Sequence, residues 1–277
     1  MSFPTNTYHK SLYKAAIALN NTAVTLIERQ QYRDAMETYR ASISAIHSVI
    51  EETRNPSKVV NAMSAAFIND ITRQLREASQ LCARSSIAHN DTDVVTKISN
   101  ASSSDNVIIV KFSSQQCVIS ALETICQARQ SGAAQVYTCV VIELMDQDGS
   151  YFESMDEVCY SIMYNFGVAH SILACQFDSS IKSEQIFIDE LQNSAFALLR
   201  HTESFFLAKL VQSPHEFHDR GVLFLCLLFL HAMSTVAHQL QYMVLWESYQ
   251  HSICVILTSI DAQEMLVPTM NRHAAIA

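Results

Sequence analysis

The densest group of side chains able to ligate a metal is His215-Glu216-Phe217-His218-Asp219. A helical zinc site places two His four residues apart around a Glu, or draws its ligands from well-separated elements. Neither pattern occurs here. The group follows Ser213-Pro214 and opens a helical stretch, so Glu216 and Asp219 suit the positive end of a helix dipole, and a solvated helix start is expected. His231 and His238 lie seven apart on one helical face, with His251 on the next helix. Converging imidazoles would bind a metal, but no carboxylate is spaced to orient them as an outer partner usually does. A metal- or small-ligand-binding enzyme using His215, His218, His231 and His238 is therefore the alternative expectation. No G-x-S-x-G occurs, and four Gly in the whole chain cannot assemble a phosphate loop or a dinucleotide fingerprint. No catalytic constellation, metal or cofactor is expected.

What positions these residues must be mostly helix. Four Gly and four Pro among 277 residues are too few for the tight turns of a sandwich or barrel. Hydrophobic residues make up 49 % and charged residues 16 %, enough apolar surface for a large core. A net charge of −9 supplies no basic field for a phosphate backbone, so nucleic acid is not an expected partner. The N-terminal residues carry no apolar signal-peptide core, and the longest apolar run, 222–230, falls far short of the ~20 residues of a membrane span. These features lead to the expectation of an intracellular protein, cytoplasmic or nuclear. The eight Cys show no C-x-x-C spacing and read as reduced core thiols.

Apolar residues at 12, 16, 19, 23 and 26 make one helical stripe ending near Gln30-Gln31. A second runs from Tyr32 through Ala35, Tyr39, Ile43, Ile46 and Ile50 to Asn55, where Pro56 ends it and opens a third reaching Cys82. Short joints imply antiparallel packing of the three. Residues 89–106 are polar and read as a flexible connection. Residues 107–112 and 136–144 are rich in β-branched side chains and could pair antiparallel across a short helix within 115–130, with a turn at 146–150. Further helices are predicted from about Met155 to Cys175, Ser183 to Gln212, Asp219 to Leu240 and Tyr242 to Ile260, followed by a frayed tail. The 219–240 helix is apolar nearly all round and must be covered on every side, by neighbouring helices or by a partner chain.

Self-similarity is the most specific signal. Leu19, Ala23, Leu26, Tyr32, Ala35, Tyr39, Ser42 and Ile43 return 210 residues later as Phe229, Met233, Val236, Tyr242, Leu245, Tyr249, Ser252 and Ile253. That spacing resembles the tetratricopeptide repeat (TPR), in which a small residue lets two helices cross closely and aromatics fill the gap to the next hairpin. Ser42 replaces the usual second Ala, and Met233 and Leu245 stand where Gly or Ala is usual. A middle copy over 163–170 resembles the motif's first helix, with Gly167 in the small position, and its joint at 176–182 is longer than usual. The layout is also similar to a group of uncharacterised algal, diatom-type proteins with a TPR-like core and an extended arm, a resemblance that implies no activity.

The resemblance implies a mainly all-α, TPR-like αα superhelix: N-terminal helices over 8–88, a flexible connection over 89–106, an extended or β-hairpin arm within 107–150, C-terminal helices over 151–262 and a tail over 263–277. Some TPR domains grip a peptide's terminal carboxylate with Lys and Asn on their first helices. The matching positions here are Asn20 and Val24, and Tyr164 and Val168, so the cationic clamp is missing. Asn20, Asn21 and Asn165 remain candidates for hydrogen bonding a peptide backbone. The leading expectation is a non-enzymatic module that binds a helix or extended peptide of another protein. A structural homo-oligomer is a further one.

Overall fold

A computed structural model describes residues 7–54, 63–84, 95–99, 106–113, 135–142, 155–212 and 220–274. Within them lie seven helices: α1 (Thr7–Glu28), α2 (Tyr32–Arg54), α3 (Met63–Arg84), α4 (Met155–Ala174), α5 (Lys182–Gln212), α6 (Arg220–Gln239) and α7 (Met243–Ala274). Three strands accompany them: β1 (Val95–Ser99), β2 (Asn106–Ser113) and β3 (Gln135–Val141). The readings that fall on Pro56, the helix within 115–130, the turn at 146–150 and the 215–219 group lie outside the described residues.

Three hairpins follow one another along the chain: α1 with α2, α4 with α5, and α6 with α7. They are joined because α2 packs on α4 and α5 packs on α6. α3 does not continue this order. It lies mainly against α1, while the outer side of α2 goes to α4. The reason is in its pattern: Ile71 and Ala78 are buried, whereas Thr72, Arg73, Arg76, Glu77 and Gln80 are exposed. A helix with one apolar face can close an end of the stack but cannot sit inside it. α4 is the opposite case, with every residue from Tyr164 to Ile172 buried, and α6 is buried from Cys226 through Ser234. Neighbouring elements of the chain itself therefore cover this apolar helix over residues 226–234.

The α1–α2 and α6–α7 joints share one geometry. Gln30 (φ 60°) and Gln241 (φ 59°) adopt the left-handed conformation that ends a helix, and the following amides bond back, Gln31 N to Leu26 O at 2.9 Å and Tyr242 N to Ala237 O at 2.8 Å. Tyr242 thus occupies the place of Gln31 and not that of Tyr32, so the 210-residue sequence match slips by one at the joint. Tyr242 is accordingly 41 % exposed, edge-on to Phe196. A Cβ in this conformation is strained where glycine is not. Gln30→Gly and Gln241→Gly are each expected to raise the unfolding free energy by about 0.5–1 kcal/mol, measured by urea denaturation.

The sheet has the order β1-β2-β3. β1 and β2 pair antiparallel, with Val95 opposite Val110 and Ser99 opposite Asn106. β2 and β3 pair parallel, from Val107 opposite Gln135 to Ser113 opposite Val141. This corrects two expectations. The arm is not a β-hairpin, because residues 114–134 between the strands exceed the dozen or so that a parallel crossover requires. The flexible connection assigned to 89–106 contains β1 and the first residue of β2. Within β1 only Val95 and Ile98 are apolar, too few for an alternating pattern. The C-terminal tail is corrected as well: α7 continues through Pro268 to Ala274.

Candidate functional site: an asparagine clamp on strand β3

β3 runs across the first helices of the hairpins, contacting α1, α4 and α6. Asn20 and Asn165 are fully buried on otherwise apolar stretches, and Asn21 is half-buried beside them. Asn165 accepts from Val140 N at 2.8 Å and donates Nδ2 to Val140 O at 2.7 Å. Asn21 repeats the arrangement one ladder step along, accepting from Ile142 N at 3.0 Å and donating to Ile142 O at 2.8 Å. Asn20 ties the two together. Its Oδ1 accepts from Asn165 Nδ2 at 2.9 Å, and its Nδ2 reaches Asn21 Oδ1 at 3.1 Å and Val140 O at 3.3 Å.

The chemistry is that of a missing strand. In β structure the N–H and C=O of one residue point to the same side and alternate residues point to opposite sides. Residues 139 and 141 face β2, leaving the groups of 138, 140 and 142 on the outer edge. A carboxamide carries the same donor and acceptor as a peptide group, so Asn165 and Asn21 satisfy that edge two residues apart. Asp offers no donor and Ser cannot span both groups. At 138 the helix supplies Tyr164: Thr138 Oγ1 lies against its hydroxyl, which donates to Thr138 O at 3.2 Å and to Leu228 O of α6 at 3.3 Å. Both groups of 140 and 142 and the carbonyl of 138 on the strand edge closest to the helices are thereby met by side chains, which is one way of removing a free edge.

β3 is buried on its faces too. Tyr137, Thr138, Cys139, Val140 and Ile142 are each at most 3 % exposed, and the apolar ones belong to the main core. Tyr137 Oη lies 3.0 Å from Cys175 Sγ and accepts from Gln239 Nε2 at 2.8 Å, joining the strand to the ends of α4 and α6. Lys111 on β2 pairs with Glu28 at the end of α1 at 3.1 Å, both largely shielded from solvent. Each large apolar side chain here contributes about 1.5–3 kcal/mol by burial, so removing the strand costs of the order of 5–10 kcal/mol. A whole domain is stable by a comparable amount. β3 is consequently part of the core and not a lid that opens on its own.

These facts revise the expectation for the candidate residues. Asn20, Asn21 and Asn165 do hydrogen-bond a peptide backbone, but it is the chain's own strand, which fills the groove where a partner's peptide was expected. The remaining repeat positions fall as follows. Leu19, Ala23, Leu26, Ala35, Tyr39, Met233 and Tyr249 are buried, while Tyr32 and Leu245 are half-buried. A Cβ on Gly167 would stand 2.9 Å from Leu199 Cγ of α5, so α4 and α5 approach closely at this point. Ser42, in the second alanine's place, bonds Ala16 O of α1 at 2.7 Å. Sequence reasoning missed the Tyr137, Cys175 and Gln239 group. Its only advance sign was Tyr137 in an otherwise β-branched run.

The phenols, thiols and His170 here are shifted toward their neutral forms. Burial raises the Tyr39, Tyr137 and Tyr164 phenols well above their usual range. Burial likewise raises the Cys139 thiol, helped by Glu28, and the Cys175 thiol against the bonds from Tyr137 and Gln239. Neither thiol is poised as a nucleophile. Burial lowers His170, against the bond from its Nδ1 to Phe166 O at 2.8 Å. The Tyr39 hydroxyl is fully buried without a hydrogen-bond partner among the described residues, its ring 5.8 Å from Phe166. Leaving such a group unsatisfied costs free energy, so Tyr39→Phe is expected to stabilise the protein by about 1 kcal/mol in urea denaturation.

Of the histidine group, His231 is 9 % exposed on α6 and His238 faces solvent beside Trp246. His215 and His218 lie outside the described residues. Among the described residues no three His, Cys, Asp or Glu are grouped to hold a metal, and no helix is long and apolar enough to cross a membrane.

A second concave feature lies between α2 and α3, a cleft of about 420 Å³. Its floor is Ala41, Ile71, Ala78 and Leu81. Asp34 and Glu37 border it on α2, and Asp70 and Glu77 on α3, with Arg40 and Arg73 among them. No protein-family model, curated protein or solved structure matches the chain.

Proposed function

We propose that this chain is a TPR-like interaction module without catalytic activity, which binds a partner protein through the α2–α3 cleft. Three successive helical hairpins, the close approach at Gly167 and the matched joints at Gln30 and Gln241 support the repeat reading. The extended-peptide groove of such a scaffold is taken up by β3, which leaves the cleft between the first hairpin and its closing helix. The observation that carries the proposal is this cleft's combination of an apolar floor with charged borders on two rigid helices. Its test is affinity capture with the full chain, comparing Ser44→Trp, which blocks the cleft from an exposed position, with Val244→Arg on the exposed face of α7. A specific partner lost only with Ser44→Trp supports the reading. A partner retained by Ser44→Trp, or lost equally with both substitutions, contradicts it.

A further inference from the structure

We infer that the α2–α3 cleft accepts an amphipathic partner helix whose apolar seam is flanked by Lys or Arg. This rests on the interaction-module reading and adds the chemistry of the partner.

The cleft's borders follow helical rows. Asp34, Glu37, Ala41 and Ser44 recur every three or four residues along α2, as do Asp70, Gln74, Glu77 and Leu81 along α3. Ten residues of α2 span ~15 Å, the length of about three helical turns. Ala41 and Ala78, both buried, keep the floor low and apolar between the two borders. An extended peptide would find no strand edge here, and of the neutral polar side chains lining the cleft Gln74 already bonds Asp70 at 2.8 Å and Thr38 bonds Asp34 O at 2.7 Å. A helix satisfies its backbone internally and needs only an apolar row and suitable flanks.

Charge decides which flanks. Four carboxylates border the cleft against two guanidinium groups. Arg73 is held along its own helix by Asp70 at 2.5 Å and by Glu77 at 2.9 and 3.0 Å. That bonding fixes the guanidinium between the two acids and leaves it poorly placed to bind an incoming anion. On the α2 side Asp34 and Glu37 stand with the exposed Arg40, and Glu37 is 3.6 Å from Arg33, so each border of the cleft holds two carboxylates to one lining guanidinium. An acidic helix or a phosphate would face carboxylates on both borders, whereas Lys or Arg flanks would meet complementary charge on both. Such complementarity contributes mainly to specificity and association rate.

The test titrates the full chain with a synthetic, end-blocked helix of four turns, carrying a leucine seam and lysine flanks. A glutamate-flanked counterpart and a scrambled lysine peptide are titrated in parallel. The lysine helix is expected to bind about tenfold tighter than either control, and to weaken about fivefold or more in 0.5 M salt, as screened charges should. In the Glu37→Lys and Glu77→Lys double variant, both exposed positions, the preference reverses toward the glutamate helix. Equal binding of the two flanked helices, a preference that survives the double variant, or no binding at about 1 mM overturns the inference. If capture of a partner is abolished by Ser44→Trp while the lysine helix fails, the module reading stands and the basic-helix chemistry falls.

Discussion

Asn165→Leu is expected to lower the unfolding free energy by about 3–5 kcal/mol, the largest effect of any single polar substitution among the described residues. The side chain is fully buried and answers three groups at once: Val140 N, Val140 O and Asn20 Oδ1. Leucine has the same branched shape, though a larger volume, and leaves all three without that bond in a site closed to water. Each such loss is worth roughly 1–3 kcal/mol, and Asn20 Nδ2, at 3.3 Å from Val140 O, can offset only part of the carbonyl's share. Asn165→Asp is a sharper comparison. It keeps the acceptor for Val140 N but turns a donor into a second acceptor facing Val140 O and Asn20 Oδ1, so it should also be strongly destabilising. Asn21→Ala should cost less, about 1–2 kcal/mol, because that position is half-buried and water can enter the space its side chain leaves. Urea denaturation of the three variants checks the order.

Gly167→Val is expected to cost about 2–4 kcal/mol. The Cβ would meet Leu199 Cγ at 2.9 Å and Cδ2 at 3.1 Å, with Ala195 O at 3.4 Å. Leu199 is fully buried and its Cγ is the branch point, so the contact cannot be relieved by turning a side-chain tip. α4 and α5 must separate. Gly167→Ala meets the same contact but regains about 1 kcal/mol of helix propensity, which makes its net effect much smaller. Packing as the cause can be isolated by combining Gly167→Val with Leu199→Ala. Leu199→Ala alone should cost about 2–5 kcal/mol, and the double variant should be more stable than additivity allows by about 1–2 kcal/mol.

Much of the helical frame was legible because stripes at steps of three and four, together with Pro56 and the turn-prone joints, mark helices locally. The start of α2 at Tyr32 and the end of α5 at Gln212 were read directly from those signals. What the stripes could not carry was neighbourhood. α3 follows α2 in sequence yet packs mainly on α1, a matter of which faces remain unburied and not of its own periodicity. The same holds for β2 and β3. Their β-branched runs announced strands, but an apolar run has no direction, so the parallel register came only with the crossover. The one-residue slip at Gln241 was invisible because the flanking motif residues kept their spacing while the joint moved.

The candidate site was legible in its residue types and not in its ligand. Asn20 beside Leu19, and Asn165 between Tyr164 and Phe166, are polar groups on apolar faces, which implies specific partners for each. Nothing in the sequence said that the partner lay about 120 residues from one and 25 from the other, on the same chain. Once β3 is in place, the same three asparagines that invited a peptide-receptor reading become the edge pairing of a core strand.

That β3 belongs to the core is tested most directly by native-state hydrogen exchange of the Val140 and Ile142 amides, followed with increasing urea. Both amides donate to buried or half-buried asparagine oxygens and sit on a strand whose release would cost as much as a whole domain's stability. They should exchange only through global unfolding, with the same free energy as the most protected amides of α1 and α4. Exchange at a free energy several kcal/mol lower, with α1 and α4 still protected, would show that the strand leaves its groove on its own and would return Asn20, Asn21 and Asn165 to service as a receptor for a partner's peptide.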